Sequence, residues 1–164
     1  MDQELDSLLI NEEDTLKGKF LIFSLGSEDY GIEIRHVTEI VGIQSVTPIP
    51  ELPEYVRGVI NLRGRIIPVI DVRLRFKKPT REYDDRTCII IIEIKDLFIG
   101  IIIDRVSEVV SIPEEEIAAP PDLNNSFHNK YIKGIGKLGN SVKLLLDCEK
   151  LLSEDELENL TNIG

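Results

Sequence analysis

The sequence contains an approximate copy of itself, and this limits the folds open to it more than any other feature. Residues 31–41 (GIEIRHVTEIV) overlay residues 100–110 (GIIIDRVSEVV) at a shift of 69, keeping Gly, Val, Glu and most of the apolar pattern. At a shift of 76, residues 55–58 (YVRG) overlay residues 131–134 (YIKG), Leu62 falls on Leu138 and Asp71 on Asp147. Such spacing describes two related units of roughly 65 residues, each too small to bury an adequate core alone. The two halves must share a packed interface.

Composition decides what the halves are made of. The chain holds 25 Ile, 19 Leu and 11 Val but only two Ala, a balance that suits pleated sheet better than helix. Residues 19–25 (KFLIFSL) read as a strand buried on both faces, residues 26–29 as a turn, and residues 30–34 (YGIEI) as the returning strand. Residues 87–94 (TCIIIIEI) and 97–104 (LFIGIIID) flank Lys95-Asp96, a tight hairpin. The apolar run from Cys88 to Ile92 is expected to be covered on both faces, since exposure would invite aggregation. Residues 66–72 (IIPVIDV) also form a strand, with Pro68 placing it at an edge or bulge. Residues 77–87 and 118–130 are long loops, and the first is the internal boundary. Helix is scarce: Ser153 and Glu156 make a capping box followed by Leu157 and Leu160, while Leu5, Leu8 and Leu9 suggest a short amphipathic turn. The expected class is therefore all-β, a pair of small barrels with short helices. The approximate halves are 18–80 and 87–150, after an acidic flexible tail at 1–17 and before a C-terminal helix at 153–164.

Charge is unevenly spread. The net charge of −11 argues against nucleic acid, whose phosphates need clustered cations. Residues 57–81 run the other way: Arg57, Arg63, Arg65, Arg73, Arg75, Lys77, Lys78 and Arg81 stand against Asp71 alone. Two readings fit that stretch, a solvated edge strand protected from pairing and a docking surface for an acidic protein. No apolar run is long enough for membrane insertion, and the acidic first residues do not form a secretion signal.

Catalytic chemistry finds no sponsor. Residues 134–139 (GIGKLG) spell a dinucleotide fingerprint, but a strand-like stretch follows where the phosphate-binding helix should start, so hairpin turn chemistry explains them. His36 and His128 have no metal-ligand neighbours, Cys88 and Cys148 lie in apolar runs as expected of buried thiols, and no nucleophile motif occurs. Neither cofactor nor metal is expected. A small enzyme or ligand-binding barrel with a site between the halves stays open as an alternative.

The repeat also separates scaffold from function. Gly58/Gly134, Leu62/Leu138 and Asp71/Asp147 recur and are explained by folding, and Gly64 matches Asn140, as a turn with positive φ requires. Arg63 matches Gly139, so the fold does not demand a guanidinium there. It is the strongest functional candidate, and two roles fit it: reaching directly into a partner, or pairing with the Glu39 carboxylate to fix the shape of a docking surface. The doubled V-x-E-[IV]-V element, read as helix-like, offers Val37, Ile40 and Val41 with Val109 and Val110 as the lining of a groove for a partner helix. The competing reading is that all five are core.

Residues 58–72 (GVINLRGRIIPVIDV) closely resemble the signature of the CheW family of bacterial chemotaxis coupling proteins. Residues 30–32, 37–40 and 100–110 fit the same family, and the resemblance spans about residues 20–152. It implies two SH3-like five-stranded β-barrel subdomains within a domain at 18–152. It implies a non-enzymatic adaptor that joins chemoreceptor cytoplasmic tips to the histidine kinase CheA, whose regulatory domain resembles CheW and pairs with it barrel to barrel. Arg63, Glu39 and Val37 would belong to the functional surface, with Gly58 and Gly64 shaping its backbone. The implied setting is the cytoplasm, at membrane-associated receptor arrays, in chemotaxis or a related chemosensory pathway.

Overall fold

The computed structural model describes residues 16–120 and 130–161. Most of the expected N-terminal tail, the Leu5–Leu8–Leu9 turn, His128, most of the second long loop and the last three residues lie outside them. The described chain runs β1 (Lys19–Leu25), β2 (Glu28–Glu33), a 3-10 turn (Ile34–His36), β3 (Val37–Gly42), β4 (Val56–Leu62), β5 (Arg65–Asp71) and α1 (Val72–Arg75). It continues through β6 (Cys88–Ile94), β7 (Leu97–Ile103), β8 (Arg105–Ser111), β9 (Ile117–Ala118), β10 (Ile132–Leu138), β11 (Ser141–Leu146) and α2 (Glu154–Thr161). The fold is mainly β, in two sheets: one of six strands in the order β8-β1-β2-β11-β10-β9, and one of five in the order β3-β6-β7-β5-β4. The expectation of five strands in each is corrected by the two-residue β9, which adds a sixth to the first sheet.

The halves do not each build their own sheet. β1 and β2 of the first half pair with β8 and β11 of the second, while β6 and β7 of the second pair with β3 and β5 of the first. Two copies of one pattern present equivalent strand edges, so pairing across the repeat satisfies the backbone as well as pairing within it. The exchange also ties together two units that would each be marginal.

Both-face burial follows from this arrangement. Alternate residues of β1 and β6 (Leu21, Phe23 and Leu25; Ile90, Ile92 and Ile94) enter one large cluster shared between the sheets. Their other faces fill separate interiors, with Ile89 and Ile91 in the five-stranded sheet and Phe20 and Ile22 in the six-stranded one. Chain that follows an edge strand also pairs with the strand near the other edge of the same sheet. Thr47, beyond β3, exchanges two backbone hydrogen bonds of 2.8 and 3.0 Å with Val59 of β4, and Ile117–Ala118 joins β10 in the same way.

Local chemistry obeys the turn rules. Lys95 and Asp96 have φ of 51° and 66°, as a two-residue hairpin between twisted strands requires. The segment at 134–139 is strand β10 followed by a hairpin turn at Gly139, and no helix follows it. Pro68 is a partial correction, because β5 is an interior strand. It stands opposite Val59, whose N–H and C=O are both taken by Thr47, and β5 pairs with β7 only from Val69 onward. The missing N–H therefore falls where no ladder bond is due. Asp71 and Asp147 recur for a shared reason: each backbone N–H bonds a tyrosine carbonyl, Tyr55 or Tyr131, at 2.8 Å, and each carboxylate caps the helical turn that follows.

Candidate functional site

The hairpin between β4 and β5 turns on Arg63 and Gly64, at φ of 53° and 86°. Its repeat counterpart turns on Gly139, at φ 61°, and Asn140, which is not at positive φ; the expectation that Gly64 and Asn140 meet a shared positive-φ requirement is corrected, since only the first residue of that turn is left-handed. Arg63 thus occupies a left-handed position that costs an L-residue about 1 kcal/mol, where the other half uses glycine. Asn61 Oδ1 accepts the Gly64 N–H at 2.8 Å and steadies the turn. The Arg63 side chain is 69% exposed and pairs with Glu39 of β3, which is 32% exposed. β3 and β4 are opposite edges of the five-stranded sheet, so the ion pair bridges the gap between them. The expected Arg63–Glu39 pair is present.

Gly58 and Gly64 differ in what they do. A Cβ on Gly58 (φ 141°) would lie 2.0 Å from the Thr47 carbonyl oxygen, whereas a Cβ on Gly64 would meet nothing within 4 Å. Gly58 permits the close approach that draws the sheet edges together; Gly64 serves only the turn.

The five aliphatic candidates separate. The V-x-E-[IV]-V element is not helix-like in either copy: it is β3 in one sheet and β8 in the other. β-Branched residues at alternate positions favour extended backbone, and each element closes an edge of its sheet. Val37 and Val41 pack from the rim against the shared cluster and the five-stranded interior respectively, and Val110 packs against the six-stranded interior. Ile40 and Val109 are the exposed members, at 42% and 52%. The structure pairs β3 with β6 and β8 with β1, and brings the five into no common strand pairing. A charge at Val41 would therefore test the core. Ile40→Asp is expected to leave the thermal midpoint within ordinary surface scatter, about 0.5 kcal/mol, while Val41→Asp lowers it clearly. Parallel thermal melts check this.

Most of the basic stretch is taken up by ion pairs within the chain. Arg57 lies 3.8 Å from Asp71, Arg73 and Arg81 grip Asp104 at 2.5 and 3.0 Å, and Arg75 holds Glu156 at 2.9 Å. Lys78 pairs with Glu28. The acids come largely from distant parts of the chain, which a linear charge count cannot show. Arg75 is the hub between the halves, with its guanidinium over the rings of the repeat-related Tyr55 and Tyr131 at 4.3 and 5.1 Å and a bond to the Leu151 carbonyl at 2.7 Å. Burial opposes its charge and lowers its pKa. The Tyr83 hydroxyl, pushed up to about 12 by burial and by donating to Asp71, ties the 77–87 loop to the sheet. Sequence reasoning missed Arg75, Asp104 and Tyr83 as organisers, since only folding brings their partners near.

Among the described residues no cluster of acids, histidines or cysteines is arranged to hold a metal. The thiols of Cys88 and Cys148 are free; Cys148 is buried, which pushes it up to about 12, while Cys88 is only half-buried, a correction to its expected burial. An open hollow of about 250 Å³ between the β6–β7 turn and α2 is lined by Ile94, Lys95, Leu97, Glu154, Leu157 and Glu158 and holds no nucleophile–base pair.

Two sheets with exchanged strands are a feature shared with known proteins. The model of the CheW-like domain matches residues 19–156. The chain belongs to the CheW-like family. It is 40% identical over 151 residues to the chemotaxis protein CheW of Klebsiella aerogenes, covering 92% of this chain and 91% of that one. With the CheW of Treponema pallidum it shares 38% over 160 residues, covering 95% and 92%. The crystal structure of the scaffolding protein TtCheW from Thermoanaerobacter tengcongensis superposes with a TM-score of 0.78 at 38% identity, covering 85% of this chain and 94% of that one. The chain is accordingly a CheW-type chemotaxis scaffold protein.

Proposed function

We propose that this protein is a non-catalytic cytoplasmic adaptor that couples the tips of methyl-accepting chemoreceptors to the histidine kinase CheA, and that receptor binding recruits it to membrane-associated arrays. The observation that carries the reading is a repeat of exposed aliphatic side chains. Ile40 and Val109, 42% and 52% exposed, are related by the shift of 69; Ile66 and Val142, 46% and 53% exposed, by the shift of 76. Folding rewards buried apolar residues, but an exposed one gains nothing from it, so recurrence in both copies supports two surfaces built for association. An adaptor needs two.

In this reading Arg63 and Glu39 hold the edges of the five-stranded sheet in the docking shape, Gly58 and Gly64 set its backbone, and Ile40 and Val109 supply apolar contact. Val37, Val41 and Val110 support that surface from beneath. The test is calorimetric titration with the CheA regulatory domain and a receptor cytoplasmic fragment, run on Arg63→Gly, Glu39→Ala and the double variant. Arg63→Gly relieves left-handed strain of about 1 kcal/mol but loses an exposed ion pair and loosens the unfolded chain, each worth up to about 1 kcal/mol, so a net cost of about 1 kcal/mol or less remains. Its thermal midpoint is expected to fall by no more than about 4 °C while affinity for at least one partner falls about tenfold or more. Losses that do not add in the double variant support the shaping role. Unchanged binding by Arg63→Gly would remove Arg63 from the surface, and a wild-type chain that binds neither partner would end the coupling reading.

A further inference from the structure

Among the guanidinium groups of the basic stretch, Arg65 has no carboxylate in ion-pair range among the described residues, whereas Arg57, Arg63, Arg73, Arg75 and Arg81 each have one. Its guanidinium carbon instead lies 4.3 Å from the centre of the Phe98 ring. Stacking covers one face of a guanidinium and leaves its N–H edge for a planar, bidentate acceptor. Phe98 is half-buried against the five-stranded interior, so the platform is anchored.

Register places the pair at one end of that sheet, where β5 starts with Arg65 opposite Leu62 and β7 carries Phe98 opposite Glu93. Arg63 stands in the adjoining turn, and the exposed Ile66 follows directly. The repeat supplies an internal control. Counterparts of Arg65 and Phe98 are Ser141, at a shift of 76, and Asp29, at a shift of 69. Asp29 is held by Ser24 and Lys143 at 3.1 and 2.8 Å. The second sheet thus closes the same end without a cation on a ring, and folding does not call for one.

We infer that Arg65, held on Phe98, receives a carboxylate of the kinase's CheW-like regulatory domain, an assignment that rests on the coupling function proposed above. Charge complementarity between like barrels favours that occupant. The outer strand β8 of this chain presents Glu108, exposed and with no ion pair among the described residues, beside the exposed Val109. A domain of the same family can offer an acid beside an aliphatic residue in that way, and Arg65 beside Ile66 is its complement.

The experiment titrates the kinase regulatory domain into the full chain and its Arg65→Ala, Arg65→Glu and Arg65→Lys variants at low and high salt, with the receptor fragment as second titrant. Arg65→Ala is expected to lose about tenfold in kinase affinity, with an unchanged thermal midpoint because the side chain is exposed. Arg65→Glu should lose clearly more through like-charge repulsion, and Arg65→Lys should recover only part, lacking the fork. The salt dependence of kinase binding should weaken in Arg65→Ala. Phe98→Leu, which keeps apolar bulk but removes the ring, should fall between wild type and Arg65→Ala. Equal affinities for Arg65→Ala and Arg65→Glu, or a loss confined to the receptor fragment, overturn the assignment. Failure of the coupling function itself shows separately, as a wild-type chain that binds neither titrant.

Discussion

Replacing Gly58 with alanine is expected to destabilise the protein by about 3 kcal/mol or more, enough to unfold a marginal domain. The backbone there has φ 141°, a region in which L-residues are strained by roughly 1–3 kcal/mol. The added methyl would also lie 2.0 Å from the carbonyl oxygen and 2.7 Å from the carbonyl carbon of Thr47. Both obstructing atoms are backbone, and Thr47 exchanges hydrogen bonds with Val59, so neither can move without breaking the link across the sheet edges. Gly64→Ala is the matched control. It keeps an unfavourable φ of 86° but meets nothing, and should cost about 1 kcal/mol. Denaturant melts of the two variants measure the difference; equal costs would mean that turn strain alone, and not the close approach at Thr47, makes glycine necessary.

Asp104→Ala is expected to cost about 3 kcal/mol, because it strands Arg73, a cation that the fold has already largely desolvated. Asp104 is the junction between β7 of one sheet and β8 of the other, and its side chain is 9% exposed. It accepts from Arg73 Nε at 2.8 Å, from an Arg73 terminal nitrogen at 2.5 Å, from Arg81 at 3.0 Å and from the Gly26 N–H at 2.7 Å. Burial works against its charge, but those hydrogen bonds outweigh it and hold the carboxyl at about 2 instead of the ordinary 3.8. A carboxylate depressed on folding contributes stability that is present above its unfolded pKa and is lost as pH falls through the folded one. Stability attributable to Asp104 should therefore be intact above pH 4 and drain away between about pH 4 and 2. Urea midpoints across that window should fall less steeply for Asp104→Ala than for wild type. Parallel slopes would show that other carboxylates, Asp29 among them, carry the acid sensitivity.

Much of the fold was legible before any coordinates. Continuous apolar runs rich in branched side chains marked β1, β6 and β7, the Lys95-Asp96 turn joined two of them, and Ser153 with Glu156 started α2 through reciprocal bonds of 3.1 and 2.8 Å. These are local matters, settled by backbone preference and turn chemistry within a few residues. Comparison of the two copies singled out Arg63 as well, because a position filled by glycine in one half and arginine in the other cannot owe its arginine to the fold. The helix-like reading of residues 37–41 failed for want of length: five residues satisfy both periods, and only pairing with β6 decides between them.

What the sequence determined alone was the strands β1, β2, β5, β6, β7 and β11, the Lys95-Asp96 turn, the doubling of the pattern and that the fold does not call for an arginine at position 63. Tertiary structure decided which strands pair, since two similar copies offer interchangeable edges and the choice between pairing within and across them rests on packing of the whole. It also decided the fate of the charges. Arg73, Arg75 and Arg81 read as a free basic surface until folding brought Asp104 and Glu156 to them, and Arg65 stands apart because the fold set a ring beside it and, among the described residues, no acid. Ion pairs between residues 31 and 81 positions apart carry no periodic signature, and their strength depends on how much water the final packing leaves around them.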